Sequence, residues 1–404
     1  MKIAILLERE TNETRVGAIP ETVKKLIGLG ADVYIEKNAG KKSHFLDEEY
    51  KQAGATISAT SAACIKNADI VLSVRRPKAA SLKGIKKDAL VISIMDPFGN
   101  EKDIEALAKI GVNAIAMEFM PRITRAQVMD VLSSQANLAG YQAAIEASVI
   151  FDRAFPMMMT AAGTVRPAKA FIMGAGVAGL QAIATARRLG AMVSATDVRP
   201  ASKEQVASLG AKFIAVENEE FKQAETTAGY AKPMSAAYQK EQAALTAKHI
   251  EKQDIVITTA LIPGRDAPIL ITKKMVQSMA PGSVIVDLAA ERGGNCEMTK
   301  ADEIVVFDDV SIIGYTNMAG RVPTSASSFY SRNLASFLET IIDKETKKLN
   351  IDWDDEIIKA TLLTKGGKIV NPRITIKNQT SKKPATKKKP AAKKKSAPKN
   401  KGDK

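Results

Sequence analysis

The 404-residue sequence predicts an α/β fold on three observations. Short apolar runs alternate with helical patterns as far as about residue 315, the arrangement of parallel strands covered by helices. The alternation passes through two such units in succession. The second contains Gly174-Ala175-Gly176-Val177-Ala178-Gly179 between an apolar strand and a helix, the context in which a glycine-rich turn meets a dinucleotide. Length agrees: at about 150 residues per domain the chain holds two domains and an extra segment.

In the first unit the strands are Ile3 to Leu7, Asp32 to Ile35, Ile70 to Ser73, Leu90 to Ile94 and Ala114 to Met117. Each is a brief apolar run, the mark of a strand buried on both faces. Pro20 opens a helix that Gly28 and Gly30 close, as proline in a first turn and glycine past a last turn do. A long helical stretch, Ala126 to Ala154, leads into the second unit. Its strands are Lys169 to Met173, Met192 to Thr196, Lys212 to Val216, Asp254 to Thr259, Ser283 to Leu288 and Ile304 to Phe307. Six strands with helices between them make a full dinucleotide-binding domain, so the class is two Rossmann-like domains with parallel sheets. After Thr316 the pattern is helical again, through Ser325 to Leu349, and this segment is expected to pack back on the first unit. The domain reading is therefore 1–133 with 317–376, then 134–316, then 377–404 as a disordered Lys-rich tail.

Composition excludes several classes. Charged residues are 25% and hydrophobic ones 45%, ordinary for a soluble globular chain. Charges cut every apolar run well short of the roughly 18 residues a membrane span needs. The opening Met1 to Glu8 reads as a strand rather than a secretory signal, so a cytoplasmic location is expected. Cys64 and Cys296 are far apart and are expected to be inert, with neither a disulfide nor a zinc site. The net charge of +15 is uneven, because 11 Lys and one Asp between Lys382 and Lys404 supply +10 of it. No nucleic-acid function is expected from a body so mildly basic. The tail reads as a solvated tether, with contact to anionic lipid beside a membrane partner as the alternative.

One segment breaks the compact pattern. From Glu217 to Tyr238 there are few apolar anchors, and Gly229-Tyr230 lies at the middle. Long loops inside compact domains tend to be functional; closing over a ligand and being a merely tolerated insertion both fit.

In the glycine turn, Gly174 makes the tight bend, Gly176 lets the backbone approach a pyrophosphate, and Gly179 lets helix and strand pack closely. The next strand ends in Asp197, 18 residues after Gly179. An acid there accepts hydrogen bonds from a ribose diol and repels the extra phosphate of NADP, so the expected cofactor is NAD(H). Arg199 lies near enough to greet a 2′-phosphate instead, but Asp197 holds the discriminating strand end. Histidine is scarce, although lysine, present in number, remains possible as an acid. His44 lies in a Lys-rich, surface-like stretch and His249 follows an Ala-rich helix, and each is read as solvated or structural. Hydride exchange between two nicotinamides needs no acid or base, only rings held close and dry. Positioning groups are offered by Gln127, Asp130 and Ser133, which recur at i+3 on the predicted helix as an amide, acid and hydroxyl stripe opposite Val128, Val131 and Leu132. A solvated helix face is the plain alternative.

With Arg122, Gln127, Asp130, Ser133, the Gly174 to Gly179 turn, Asp197 and Gly229-Tyr230 in view, the chain resembles the NAD(H)-binding component of proton-translocating nicotinamide nucleotide transhydrogenases from Lys2 to about Leu349. The resemblance implies that Arg122, Ile123, Thr124, Arg125, Gln127, Asp130 and Ser133 form the loop at the nicotinamide end, with Arg122, Gln127, Asp130 and Ser133 as the catalytic set. It implies that Gly174, Gly176, Val177 and Gly179 cradle the pyrophosphate, that Asp197, Val198 and Arg199 surround the adenosine ribose, and that Gly229 and Tyr230 fold over bound nucleotide. It further implies a homodimer, and Re/Si-specific hydride transfer from NADH to NADP⁺ held by a partner subunit. That transfer would be coupled to proton translocation in a membrane-embedded subunit, placing this chain at the inner face of the cytoplasmic membrane through its partners. The chain resembles the split form, in which the α subunit is divided. Glu8-Arg9-Glu10, Arg15-Val16-Gly17 and Pro20 are shared with alanine dehydrogenases, the main rival. That family relies on a Lys and a His in its cleft, where this sequence reads Val74-Arg75-Arg76-Pro77 and Ile94-Met95-Asp96-Pro97. A third reading, an idle NAD-sensing module, gives no reason for the polar stripe.

Overall fold

The computed structural model describes residues 1–224, 234–262 and 264–374. The chain opens with β1 (Lys2–Ile5), α1 (Pro20–Gly28), β2 (Asp32–Glu36), α2 (Asp47–Gln52), β3 (Thr56–Ser58) and α3 (Ser61–Ile65). It continues with β4 (Ile70–Arg75), β5 (Leu90–Ile94), α4 (Glu101–Lys109) and β6 (Asn113–Ala116). The sheet runs β3-β2-β1-β4-β5-β6 and is parallel throughout. The strand absent from the sequence reading is β3, a three-residue edge strand with one buried side chain, too short to carry a period.

The connection to the second sheet is α5 (Val131–Ile150), followed by the exposed hairpin β7 (Met158–Thr160) and β8 (Gly163–Val165). The expected helix from Ala126 to Ala154 is thus shorter at both ends. Thr124–Met129 is a 3-10 turn, and Asp130 caps α5 by accepting a hydrogen bond from the Ser133 N–H at 3.0 Å. Next come β9 (Lys169–Met173), α6 (Val177–Arg188), β10 (Met192–Thr196), α7 (Ser202–Ser208), β11 (Lys212–Phe213), α8 (Glu219–Lys222) and α9 (Ala236–Ile250). They lead to β12 (Ile255–Thr258), α10 (Lys273–Gln277), β13 (Val284–Asp287), β14 (Ile304–Phe307) and β15 (Val310–Ile313). This sheet has seven strands, ordered β11-β10-β9-β12-β13-β15-β14. The strand beyond the six expected is β15. Asp308 and Asp309, both at positive φ (49° and 58°), turn the chain back so that β14 pairs antiparallel with β15, the backbone of a tight primed hairpin turn.

The chain then returns to the first sheet through α11 (Pro323–Ile341) and α12 (Glu356–Thr361). Tyr330, Leu334, Phe337 and Leu338 of α11 share one core with Ile3, Ile5, Leu72 and Ile92. On the opposite face Ala4, Val71 and Val91 meet Cys64, Ile65, Ile104 and Leu107. Both faces of these strands are covered, which is why their sequences are apolar without alternation. The expected helix to Leu349 stops at Ile341. Asp343 accepts from the Thr346 N–H and hydroxyl, and Ile342 bridges back to Leu349, so local side-chain bonding ends the helix. Among the described residues no helix is long and apolar enough to cross a membrane. The Lys-rich tail from residue 377 lies outside the described residues.

Candidate functional site

Strand order in the second sheet reverses between β9 and β12, which opens a crevice beyond their C-terminal ends. There Gly174 turns at φ +105°, and a Cβ on it would stand 2.4 Å from Thr259 Oγ1. Gly179 packs harder still, its Cβ position lying 1.8 Å from the Gly174 carbonyl oxygen. Gly176 caps α6, and nothing lies within 4 Å of where its Cβ would be. A turn closed by two glycines and open at the third leaves a cradle above the positive end of α6, the shape and polarity a pyrophosphate needs. Val177, which follows, is exposed.

Asp197 follows β10 directly and is joined to this turn. Its carboxylate accepts the Ala175 N–H at 2.7 Å, the Arg199 N–H at 2.9 Å, and the Arg199 guanidinium through Nε (2.9 Å) and Nη2 (3.0 Å). Burial pushes its pKa up, but the Arg199 and Ala175 hydrogen bonds outweigh that and hold the carboxyl below its ordinary value. It is an ionised acceptor at the strand end. Val198 beside it is exposed.

The loop at 122–133 is not the continuous helix face expected. Gln127 lies in the 3-10 turn, whereas Ser133 lies in the first turn of α5; Asp130 between them is the cap and accepts the Ser133 hydroxyl at 2.5 Å. Capping by an aspartate overrides the i+3 continuity that spacing alone suggested. Arg122, Thr124, Arg125, Gln127 and Val128 are exposed, while Ile123 packs on the first core. Arg125 pairs with Asp355 (2.8 Å) and Glu356 (3.2 Å) beside α12. Asn333 of α11 donates to the Val128 carbonyl at 2.8 Å and accepts the Ser134 hydroxyl at 2.7 Å, so the loop is fixed from below. Helix α5 links it to the glycine turn: seven residues beyond Ser133, a span of roughly 10 Å, Gly140 crosses Ala178 of α6. Gly229 and Tyr230 lie outside the described residues.

Across the cleft between the sheets the chain's charges face one another in pairs. Arg75, at the end of β4, bonds Glu13 (3.0 Å) and Glu291 (3.2 Å), and Arg292 bonds Asp96 just past β5. Glu13 also clamps Arg15, which reaches Gln135 of α5 at 2.8 Å. Two buried carboxyl groups hold these strand ends: Glu8 accepts the Val74 N–H, and Glu118 accepts the Met95 and Asp96 N–H groups. Burial raises Glu8 to about 8 and Glu118 to about 7. For Glu13 burial is outweighed by the charges and hydrogen bonds of Arg15 and by Arg75, which bring it to about 2. Arg75 and Asp96, where the rival reading needs a lysine and a histidine, are therefore ion-paired.

His249 is half-buried, with Nε2 2.8 Å from Ser194 Oγ and its ring edge-on to Phe171. Burial, then the charges of Lys212, Lys252 and Lys169, lower its pKa. His44 is exposed on a surface turn. Cys64 and Cys296 are free and buried, and burial pushes both thiols up to about 11. No metal-ligating cluster occurs among the described residues.

Sequence reasoning missed Asp287. Its buried carboxylate accepts from Ala289 N–H, Asn295 N–H, Cys296 N–H and the Thr258 and Thr299 hydroxyls, and Asn295 in turn bonds both backbone groups of Ala260. This hub shapes the crevice floor at β12 and β13. An acid ending the apolar run Val284-Ile285-Val286, ahead of Gly293-Gly294-Asn295, was the available signal. Gly140 and Asn333 were missed as well, since their partners are distant in the chain.

The N-terminal and C-terminal domain models of the alanine dehydrogenase/PNT family match residues 4–139 and 143–372. In Rhodospirillum rubrum the first portion of a divided NAD(P) transhydrogenase alpha subunit is 52% identical over 380 residues, covering 93% of this chain and 99% of that one. The crystal structure of transhydrogenase from Sinorhizobium meliloti, 57% identical, superimposes with a TM-score of 0.84 over 92% of this chain and 100% of that one. An L-alanine dehydrogenase structure, 24% identical, covers 94% of this chain and 99% of its own with a TM-score of 0.79, a likeness of fold.

Proposed function

The chain belongs to the alanine dehydrogenase/PNT family, as a transhydrogenase alpha-subunit component, and from that premise we propose that it binds NAD(H) and exchanges hydride with NADP(H) held by a partner subunit. The observation that carries the reading is the bond from the Ala175 N–H to Asp197, which ties a ribose-accepting carboxylate to a phosphate-sized cradle. The fit is that of NAD: Gly176 leaves open space at the helix end, and an ionised acid stands at the following strand end. Gly174, Gly176, Val177 and Gly179 hold the pyrophosphate, and Asp197, with Val198 and Arg199 beside it, holds the adenosine ribose. Arg122, Ile123, Thr124, Arg125, Gln127, Asp130 and Ser133 orient the nicotinamide end, and Gly229 and Tyr230 cover the nucleotide.

A nicotinamide bound there supplies or receives hydride at its ring without proton transfer. This chain's work is then to orient and to exclude water. Asp130 fixes the first turn of α5, Asn333 fixes the backbone at Val128, and the exposed Gln127 amide faces outward from that support. The stretches where keto-acid chemistry relies on a lysine and a histidine carry instead Arg75 and Asp96, both held in ion pairs, and His249 is bonded to Ser194.

The finer assignments follow from the same reading: Re/Si-specific transfer, coupling to proton translocation in a membrane-embedded subunit, and a peripheral place at the inner face of the cytoplasmic membrane. A homodimer is supported by the large apolar side chains left exposed on α5 and along the adjoining hairpin, Tyr141, Val149, Met157, Met158, Met159 and Val165, the kind of surface that interfaces cover. The test mixes this protein with an NADP(H)-binding partner and NADH, and follows reduction of an NADP⁺ analogue whose reduced form absorbs apart from NADH. Pyruvate with ammonia serves as the control. Hydride transfer only with the partner is expected; rapid turnover of pyruvate by the chain alone would replace this reading with the amino-acid dehydrogenase.

A further inference from the structure

Asp197 has a second relation to the cofactor, and it runs through Arg199. The guanidinium closes on the carboxylate through Nε and Nη2, at 2.9 and 3.0 Å, and the Arg199 backbone N–H adds a third bond at 2.9 Å. The Asp197 side chain is only 7% exposed and that of Arg199 29%. The two residues are separated by Val198 alone, so the chelate is local to the loop after β10. A guanidinium at this place on a dinucleotide fold is the group that accommodates a ribose 2′-phosphate, because its planar fork matches phosphate oxygens. In this chain the fork is occupied by the chain's own acid.

We infer that Arg199 is a masked 2′-phosphate site, and that Asp197 rejects NADP(H) chiefly by occupying Arg199 rather than by charge repulsion alone. The inference rests on the reading that the adenosine ribose lies at Asp197. A carboxylate already paired with a guanidinium presents little net charge to an incoming phosphate, so its repulsion is largely cancelled. Binding a 2′-phosphate through Arg199 would instead strip a mostly buried carboxylate of its charged partner and leave it beside a dianion, which is a steep cost. A ribose diol makes a smaller demand, since its hydroxyls can share the carboxylate oxygens with the Ala175 and Arg199 N–H donors and leave the ion pair intact.

The full chain and the variants D197N, R199A and D197N/R199A are titrated calorimetrically with 2′,5′-ADP and with 5′-AMP, which differ only in the 2′-phosphate. An asparagine oxygen still accepts the Ala175 N–H, so D197N keeps the turn while removing the charge that pairs with the guanidinium; thermal melting reports whether each variant is folded. We expect D197N to favour 2′,5′-ADP over 5′-AMP by about tenfold or more relative to the unaltered chain, the size of one charge-assisted hydrogen bond. The double variant should lose that gain, and R199A alone should show none. Equal gains in D197N and D197N/R199A would mean repulsion alone and overturn the inference, as would no gain in D197N. Failure of the unaltered chain to bind NADH and 5′-AMP would sink the parent reading, and that result comes from protein with no substitution.

Discussion

Replacing Gly140 by alanine should destabilise this protein although alanine is the better helix former. Gly140 lies at the middle of α5, where alanine in place of glycine ordinarily gains about 1 kcal/mol. The ideal Cβ, however, falls 2.0 Å from the Ala178 carbonyl oxygen of α6, 2.8 Å from its carbonyl carbon and 3.0 Å from its Cα, where ordinary contact begins at 3.4 Å. All three are backbone atoms, so no rotamer change relieves the overlap. The helices must part by more than about 1 Å, loosening the small-residue packing of Ala143, Ala144 and Ala147 against Ala182, Ile183 and Ala186. Overpacking of this kind costs about 1–3 kcal/mol, and a rigid neighbour puts it at the upper end. The net expectation is a loss of about 2 kcal/mol. Because α5 carries Asp130 and Ser133 and α6 carries the glycine turn, NADH affinity should fall with it. Equilibrium urea unfolding and NADH fluorescence titration measure both. Gly28→Ala is the control, since nothing lies within 4 Å of its Cβ position in α1, and it should be neutral or stabilising. A Gly140→Ala protein as stable as the original would show that the two helices do not make the contact described.

Other substitutions probe the supporting groups. Glu8, raised by burial from 4.5 to about 8, holds in the folded state a proton that the unfolded chain has released, so its contribution to stability is lost as pH rises from about 4.5 through 8. Glu8→Gln should flatten that decline in urea unfolding across the same range; an unchanged slope would place the titration elsewhere. Asp287→Ala leaves three buried N–H groups and two hydroxyls without their acceptor and should cost about 3 kcal/mol or more, with Asp287→Asn milder. A small loss on denaturation would mean that the floor of the crevice is held by other bonds. Gln127→Ala, at an exposed position, should leave stability within about 0.5 kcal/mol and slow hydride transfer more than it weakens NADH binding, and parallel losses would deny Gln127 a positioning role.

By itself the sequence determined whatever depends on local pattern. Apolar runs such as Ala170 to Met173 and Ile255 to Thr258 marked strands, because burial on both faces leaves no room for polar alternation. Glycines 174, 176 and 179 with Asp197 marked the turn, because the bend and the strand end lie within one supersecondary unit. What escaped was decided over distance or by competition. Asp130 drew the end of α5 because a cap outweighs the continuity of a period, and β15 formed because Asp308 and Asp309 reverse the chain onto β13. The Gly140 crossing and the facing of Arg75 with Glu291 and Asp96 with Arg292 join residues remote in sequence. No local spacing encodes such pairs; the crossing of α5 with α6 makes the first, and the approach of one sheet unit to the other makes the two ion pairs.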